Sequence, residues 1–542
     1  MVLKFLNSES KSIVGAATLV GVLSFAADVA GLIRDRILAG TFGAGDVLDA
    51  YYAAFKVPDL LFSLIVVGAL SAGFIPVFTR HWYGTSQDRA WRLASHTLFC
   101  LVVLMGFVAG GVALFAPQVA ELVAPGFAPE KLALVAKFMR IMLLAQVIFA
   151  ISIVFGSVLQ GLKRFVLYAA APVLYNLGII AGAVWLTGPY GSAGLAWGVV
   201  LGASLHALIQ AFGVVQAGWR PSLALPIFDA DVREVFKLTG PRILGIAISQ
   251  LLFVALMVIA STLPSGSVTV FQFAYNIQFV PVGIIGVSFA IAAFPSLAEH
   301  AAAGHDKRFV DTFGASVRQI IFLIAPLTVL FMIVRAQIVR VVVGAGVFDW
   351  PATILTADAL ALFALSFVPQ SISYLLSRAF FALKDTVTPL AVGLVSGVVG
   401  IVTALWLAGP YGASGLALAF SLASLVNATM LWVVLRSRVG SLHEAELLPT
   451  VYKVAVASVI ALVVMQVTKP LALAVVTTDT FLGVFGQGLI AGGAGLIFYF
   501  VIAYALRVPE LHDLVEGMRR KVLRKSAPTE MIPPVDGAPS SG

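Results

Sequence analysis

Charge is what this sequence has least of. Asp, Glu, Lys and Arg together make up 11% of its 542 residues, where a soluble domain carries roughly 25%. That scarcity excludes a soluble enzyme, and the 60% share of hydrophobic residues excludes a disordered chain. Cysteine is almost absent as well. Cys100 stands alone in an apolar run, so a disulfide framework and any multi-cysteine metal site are excluded. No Walker loop occurs, no His/Asp/Glu metal cluster and no Ser/His/Asp set in one compartment. The expectation is therefore a protein that is not an enzyme and needs no cofactor. The net charge of +8 is not gathered into a phosphate-tracking stripe. Its Lys and Arg sit in small groups at the ends of apolar runs, which is the pattern of membrane topology.

What the sequence has instead is apolar length. Fourteen runs of about 20 residues or more follow one another from 12–33 to 481–506, each long enough to cross a bilayer core. The first is too long for a cleavable signal peptide. The second (47–78) and eighth (269–297) are overlong, and each holds a proline and a glycine: Pro58 with Gly68, Pro281 with Gly283. Both are expected to bend. With the N-terminus placed in the cytoplasm, 25 of the 34 Lys and Arg fall in cytoplasmic segments. Eight fall outside, and Lys56 lies within a span. That bias predicts both termini inside. The glycines are spread through the apolar runs, as in membrane helices.

The chain repeats itself. WLTGPYGSAGLA at Trp185–Ala196 returns as WLAGPYGASGLA at Trp406–Ala417, an offset of 221 that also pairs Leu162-Lys163 with Leu383-Lys384. Six spans per copy keep the two copies in the same orientation. The predicted fold is an all-α polytopic membrane protein of about 14 transmembrane helices. Two six-helix lobes form a parallel pseudo-two-fold repeat, followed by two C-terminal helices. The expected divisions are 1–220, 221–440, 441–507 and a cytoplasmic tail, 508–542, that starts as a basic helix (Glu510 to Lys525) and ends disordered. Two such lobes enclose a central cavity and work by alternating access. Gly-Pro-Tyr-Gly is itself a tight outer turn.

Ionisable residues within spans are costly, so each is a candidate. The first span ends with Asp28, Arg34, Asp35 and Arg36. The second carries Asp46, Asp49, Lys56 and Asp59. Asp49 and Lys56 are two turns apart, so they can share one helix face. A cation facing a cavity there can hold a phosphate or carboxylate. The alternative is structural: Arg34 or Arg36 paired with Asp46 or Asp49 across a short outer turn. Gln272, Tyr275, Asn276 and Gln278 on the eighth span suit a sugar or amide, or serve only to glue helices. Arg140 reads as snorkelling to the interface, and His206 as packing.

Several longer stretches resemble one family. They are GLIRDRILAGTFGAGDVLDAYYAAFKVPDLL with GALSAGFIPVF (Gly31–Leu61, Gly68–Phe78), GLKRFVLYAAAPVLYNLGII (Gly161–Ile180), LAWGVVLGA (Leu195–Ala203), PVGIIGVSFAIAAFPSLAEH (Pro281–His300) and SRAFFALKDTVTPL (Ser377–Leu390). Over about residues 10–510 the sequence resembles the MurJ/MviN lipid II flippases of the multidrug/oligosaccharidyl-lipid/polysaccharide exporter superfamily. The resemblance implies fourteen spans in two lobes around a V-shaped cavity, in a bacterial inner membrane. It implies a substrate, an undecaprenyl-diphosphate-linked disaccharide-pentapeptide, moved from inner to outer leaflet. It also implies membrane lipids and cell-wall synthesis machinery as partners. The residues matching functional positions of the family are Arg34, Asp35, Asp49 and Lys56. Three cavity arginines usual in the family fall at Asp28, Phe62 and Asn276. A sodium-site acid of the seventh span falls near Leu256, and the eleventh span lacks the expected Asn/Asp ligands. The candidate substrate-binding set is therefore Arg34, Asp35, Asp49, Lys56, Asp28, Asn276 and Gln272, with no metal. Three rival functions remain: transport of another lipid-linked oligosaccharide, ion-coupled drug export, and a non-transporting scaffold of the same fold.

Overall fold

The computed structural model describes residues 13–67, 73–222, 225–477, 480–512 and 516. Among these every regular element is a helix. The principal ones are α1 (Ile13–Phe42), α2 (Asp46–Leu61), α3 (Gln87–Leu114), α4 (Pro129–Gly161), α5 (Phe165–Ala181), α6 (Ala193–Gln216) and α7 (Ala230–Ser261). They continue as α8 (Ser267–Pro281), α9 (Asp306–Ile333), α10 (Phe367–Ala382), α11 (Val387–Val439), α12 (Glu444–Leu471) and α13 (Phe481–Ala505). The expected basic helix and disordered end of the tail, beyond 516, lie outside the described residues, as do Lys4 and Lys11.

Nine helices among the described residues are long and apolar enough to span a membrane. Ten are, if Trp350–Ala364 and α10, bent by 47° at their junction, count as one span. The expected fourteen is not reached by this measure. One reason is visible in α11. Its 53 residues carry two expected spans, joined at Gly412 with φ +58° and ψ −138°. Another is α2, only 16 residues long, with Pro58 inside and three carboxylates and a lysine along it.

Pro58 and Pro281 each remove a backbone donor near the end of a helix. The chain answers with π-helical turns, at Phe62–Val67 one turn beyond Pro58 and at Val282–Val287 directly after Pro281. The second and eighth spans thus each depart from regular α-helical geometry after their proline. α5 and α6 meet backbone to backbone. Gly178 faces Gly202 and Gly182 faces Gly198, with a Cβ on either first member falling 2.2 Å from the partner's Cα. Glycines four apart on both helices make this approach possible.

The repeat has a matching local backbone. Gly191 and Gly412 share φ +58°, with ψ −149° and −138°. Lys163 and Lys384 both adopt positive φ, 57° and 60°. Each ends its helix with the same pair of hydrogen bonds: Lys163 N to Gln160 O and Arg164 N to Leu159 O, Lys384 N to Phe381 O and Asp385 N to Phe380 O.

The apolar cores show how the halves meet. One core joins residues of both halves, Leu38, Tyr51 and Phe138 with Phe271, Phe273 and Phe363. Two others stay apart: one within 74–235, around Phe78, Leu93 and Leu159, the other within 282–447, around Phe313, Leu375 and Leu435. A bundle fused at one end and divided at the other leaves a gap between its halves. α12 and α13 pack against α9 through a smaller core, pinned by Tyr499 Oη donating to Phe322 O at 2.6 Å.

Candidate functional site

The gap is a cavity of about 1480 Å³. Side chains from both halves line it. Lys56, Asp59, Phe62 and Ser63 come from α2 and its π-turn, and Phe253 from α7. Gln272 and Tyr275 come from α8, Ser377 and Arg378 from α10, and Asn427 from α11. Thr386 and Val387, beside the Lys384 turn, line one end. Among the described residues three charged side chains line it: Lys56, Asp59 and Arg378.

Lys56 is 8% exposed. Its Nζ donates to Gln272 Oε1 at 2.9 Å and lies 4.4 Å from the centre of the Phe253 ring. Both partners are neutral; among the described residues no carboxylate pairs with the ammonium directly, and Asp59, one turn away on α2, is the opposing charge of the lining. Gln272 passes the polarity on. Its Nε2 donates to Asn276 Oδ1 at 2.7 Å, and Asn276 Nδ2 donates to Asp35 Oδ2 at 2.8 Å. Arg34 grips the other oxygen of Asp35 at 2.9 and 2.7 Å and donates to Asn176 Oδ1 at 3.0 Å. Five of the seven candidates, Lys56, Gln272, Asn276, Asp35 and Arg34, therefore form one hydrogen-bonded chain across α2, α8 and α1.

Asp49 lies apart from that chain on the same helix as Lys56. Its carboxylate accepts from the backbone of Gly266 (2.7 Å) and Thr269 (2.8 Å) and from Thr269 Oγ1 (2.7 Å). It is a side-chain cap for the N-terminus of α8, satisfying donors the helix cannot. Lys131 completes the contact, 2.8 Å from Asp49 and 2.7 Å from Asp46. Asp49 and Lys56 do share a helix face, and that face lies along α8. Asp28 is exposed on α1 and joins neither group.

The pairing of Arg34 or Arg36 with Asp46 or Asp49 is overturned. Arg34 takes its neighbour Asp35. Arg36 donates to Val341 O at 2.6 Å and stacks on Phe481 at 4.8 Å. Lys131, 82 residues downstream of Asp49, occupies the place expected for an arginine. Gln278 accepts from Gln370 at 3.1 Å and glues α8 to α10. His206 bonds Ser152 at 2.6 Å and packs edge-on against Phe149. Arg140 is exposed and donates to Ala113 O at 3.0 Å.

Sequence reasoning missed Arg378 by counting it in a cytoplasmic segment, and it named Asp59 among the ionisable residues of the second span but left it out of the substrate-binding set. Signals for both were there. Asp59 is one turn from Lys56, on the same face. Gln370, Ser373 and Ser377 form an i, i+3, i+7 polar stripe on α10 that leads to Arg378. Among the described residues no group of three or more His, Cys, Asp or Glu could hold a metal ion.

Comparison with known proteins follows from this geometry. The family model described as lipid II flippase MurJ matches residues 38–485. A probable lipid II flippase MurJ of Rhizobium tropici is 27% identical over 533 residues, 96% of this chain and 98% of that protein. One of Bdellovibrio bacteriovorus is 28% identical over 510 residues, 92% and 96%. Among solved structures, a lipid II flippase MurJ in an inward closed conformation matches with TM-score 0.75 at 22% identity, covering 90% of this chain and 99% of that one. An inward-facing multidrug transporter of the MATE family and MOP superfamily matches with TM-score 0.65 at 17% identity, covering 77% and 96%. Both structures share the fold. With the family model covering most of a chain whose polar groups converge on one intramembrane cavity, this multi-pass membrane protein belongs to the lipid II flippase MurJ family.

Proposed function

We propose that this chain flips lipid II, the undecaprenyl-diphosphate-linked peptidoglycan precursor, from the inner to the outer leaflet by alternating access. The observation that carries the reading is Lys56. It is a buried ammonium held by neutral partners on the wall of a cavity of about 1480 Å³. A diphosphate needs a cation in a site poor in water, and a cation with no direct carboxylate partner among the described residues supplies one. The prenyl tail stays in lipid while the headgroup crosses the cavity. The family is one of transporters, not enzymes, and no covalent step is required.

In this reading Lys56 meets the diphosphate. Gln272, Asn276, Asp35 and Arg34 hold it from behind, and the Asp49 cap fastens α2 to α8 on the outer side. Residues 1–220 and 221–440 act as two lobes, with 441–507 appended. Both termini face the cytoplasm, so the cavity faces the inner leaflet. Asp28 has no part, and the headgroup's sugars and amides meet the polar stripe of α10. Cell-wall synthesis enzymes are the expected partners of the exported product.

The test is replacement of an essential lipid II flippase in a depletable strain. Rescue of growth with lipid II newly accessible on the outer leaflet is the expected result. A chain that is present in the membrane but neither rescues growth nor exposes lipid II overturns the proposal.

A further inference from the structure

We propose that Arg378 is the second oxyanion-binding side chain of this cavity. The inference rests on the lipid II reading and specifies how this member, with Asp28, Phe62 and Asn276 on its first, second and eighth spans, recognises an anionic headgroup.

The charges lining the cavity are few enough to weigh individually. Lys56 and Asp59 stand one turn apart on the α2 face and oppose one another. Arg378, on α10 in the other half of the chain, is the remaining charge among the described lining residues. Without it the charges among the described lining residues are one of each sign, and such a lining has little attraction for a diphosphate. With it the described lining carries one positive charge in excess.

The surroundings of Arg378 set it apart from the other arginines of this region. Arg34 is held by Asp35 and Asn176. Arg438 is held by Asp385 at 2.6 Å, and Arg436 by Glu444 at 3.1 Å. Among the described residues no carboxylate lies within the 4.0 Å ion-pair distance of Arg378. Its guanidinium stacks on the Phe294 ring, 5.5 Å from the centroid. Stacking fixes the plane of the fork and leaves its N–H edges available. A half-buried, oriented, unopposed guanidinium on a cavity wall suits one ligand chemistry, a planar or tetrahedral oxyanion taken by two parallel hydrogen bonds. Lipid II offers two sources of it: a phosphate of the diphosphate and a carboxylate of the peptide.

The experiment measures binding of two probes, lipid II and undecaprenyl diphosphate, to the purified full chain in lipid nanodiscs. Arg378→Gln is compared with Arg378→Lys and with Arg436→Gln, which removes a cation outside the cavity. Arg378→Gln is expected to weaken lipid II binding by about tenfold or more, with Arg378→Lys intermediate because the charge survives but the fork does not. Arg436→Gln is expected to bind as the parent does. Equal losses for both probes assign the oxyanion to a phosphate, and a loss for lipid II alone assigns it to a peptide carboxylate. Binding of both probes within about twofold of the parent by folded Arg378→Gln overturns the inference. If Arg378→Gln does not fold, Arg378→Lys decides: a loss of about threefold or more supports the fork, and unchanged affinity overturns it. Failure of the parent chain itself to bind lipid II is a different result and removes the flippase reading as well.

Discussion

Replacing Lys56 with methionine keeps the length of the side chain and its contact with Phe253 while deleting the charge. A phosphate about 4 Å from the ammonium gains about 1 kcal/mol at the dielectric of water and about 4 kcal/mol at an effective dielectric near 20. Lys56 is 8% exposed and walled by Phe253 and Gln272, so the upper part of that range applies. Asp59 makes the loss larger. With Lys56 gone the charges among the described lining residues are Arg378 against Asp59, with no positive excess. Affinity for lipid II is therefore expected to fall by roughly 100-fold, the equivalent of about 2.8 kcal/mol. Two companions sharpen the test. Lys56→Arg is expected to retain part of the affinity. Lys56→Met combined with Asp59→Asn is expected to recover part of what the single change loses, because the unopposed carboxylate is neutralised. Folding is expected to survive, since the buried ammonium's desolvation disappears along with its bond to Gln272. The assay is lipid II binding in nanodiscs, paired with outer-leaflet lipid II in cells. A folded Lys56→Met protein that binds within about twofold of the parent refutes the reasoning, because no oxyanion then depends on the cation in its wall.

The other expectations concern the scaffold. Asp49→Ala leaves two backbone donors of α8 and the Lys131 ammonium without their acceptor, and is expected to cost about 3–5 kcal/mol, read as a lowered unfolding midpoint in detergent. Asp49→Asn, which keeps an acceptor, is expected to cost less; equal stability of all three proteins removes the capping argument. Gly178→Leu is expected to abolish monodisperse protein in size-exclusion chromatography, while Gly188→Ala, with nothing within 4 Å of the added Cβ, is expected to be neutral. A reporter fused after Gly191 or Gly412 is expected to read as external, and one after Lys163 or Lys384 as cytoplasmic; reversed labelling at both pairs refutes the orientation.

Helix positions, the repeat and the placement of Lys56 within a span were legible in the sequence because each is a local matter. Apolar length marks spans, a 12-residue match marks a repeat, and a lysine inside a span demands a reason. Partners were not legible in the same way. Arg36 looked placed to pair with Asp46 or Asp49 across a short turn, yet Lys131 is folded over them from the start of α4, and Arg36 turns to a carbonyl 305 residues away. Charge pairing in a bundle is decided by which helices are neighbours, and apolar periodicity is silent on that. Arg378 was hidden by the same habit that gave the topology. Counting basic residues as loop markers works on average, but it misfiles an arginine at the end of a span that faces a cavity instead of a headgroup layer.

The glycine seam between α5 and α6 bears on which parts of this molecule can move. Two helices touching through side chains can slide, because rotamers re-adjust as they pass. Two helices touching through bare backbone at paired glycines have no side chain there to re-adjust, and any slip along the axis drives a neighbouring residue into the opposite Cα. α5, the tight turn at Gly191 and α6 therefore travel as one rigid lever. Rearrangement between inward and outward states has to be absorbed elsewhere, and the π-turns that follow Pro58 and Pro281, one in each half of the chain, stand where such joints are needed.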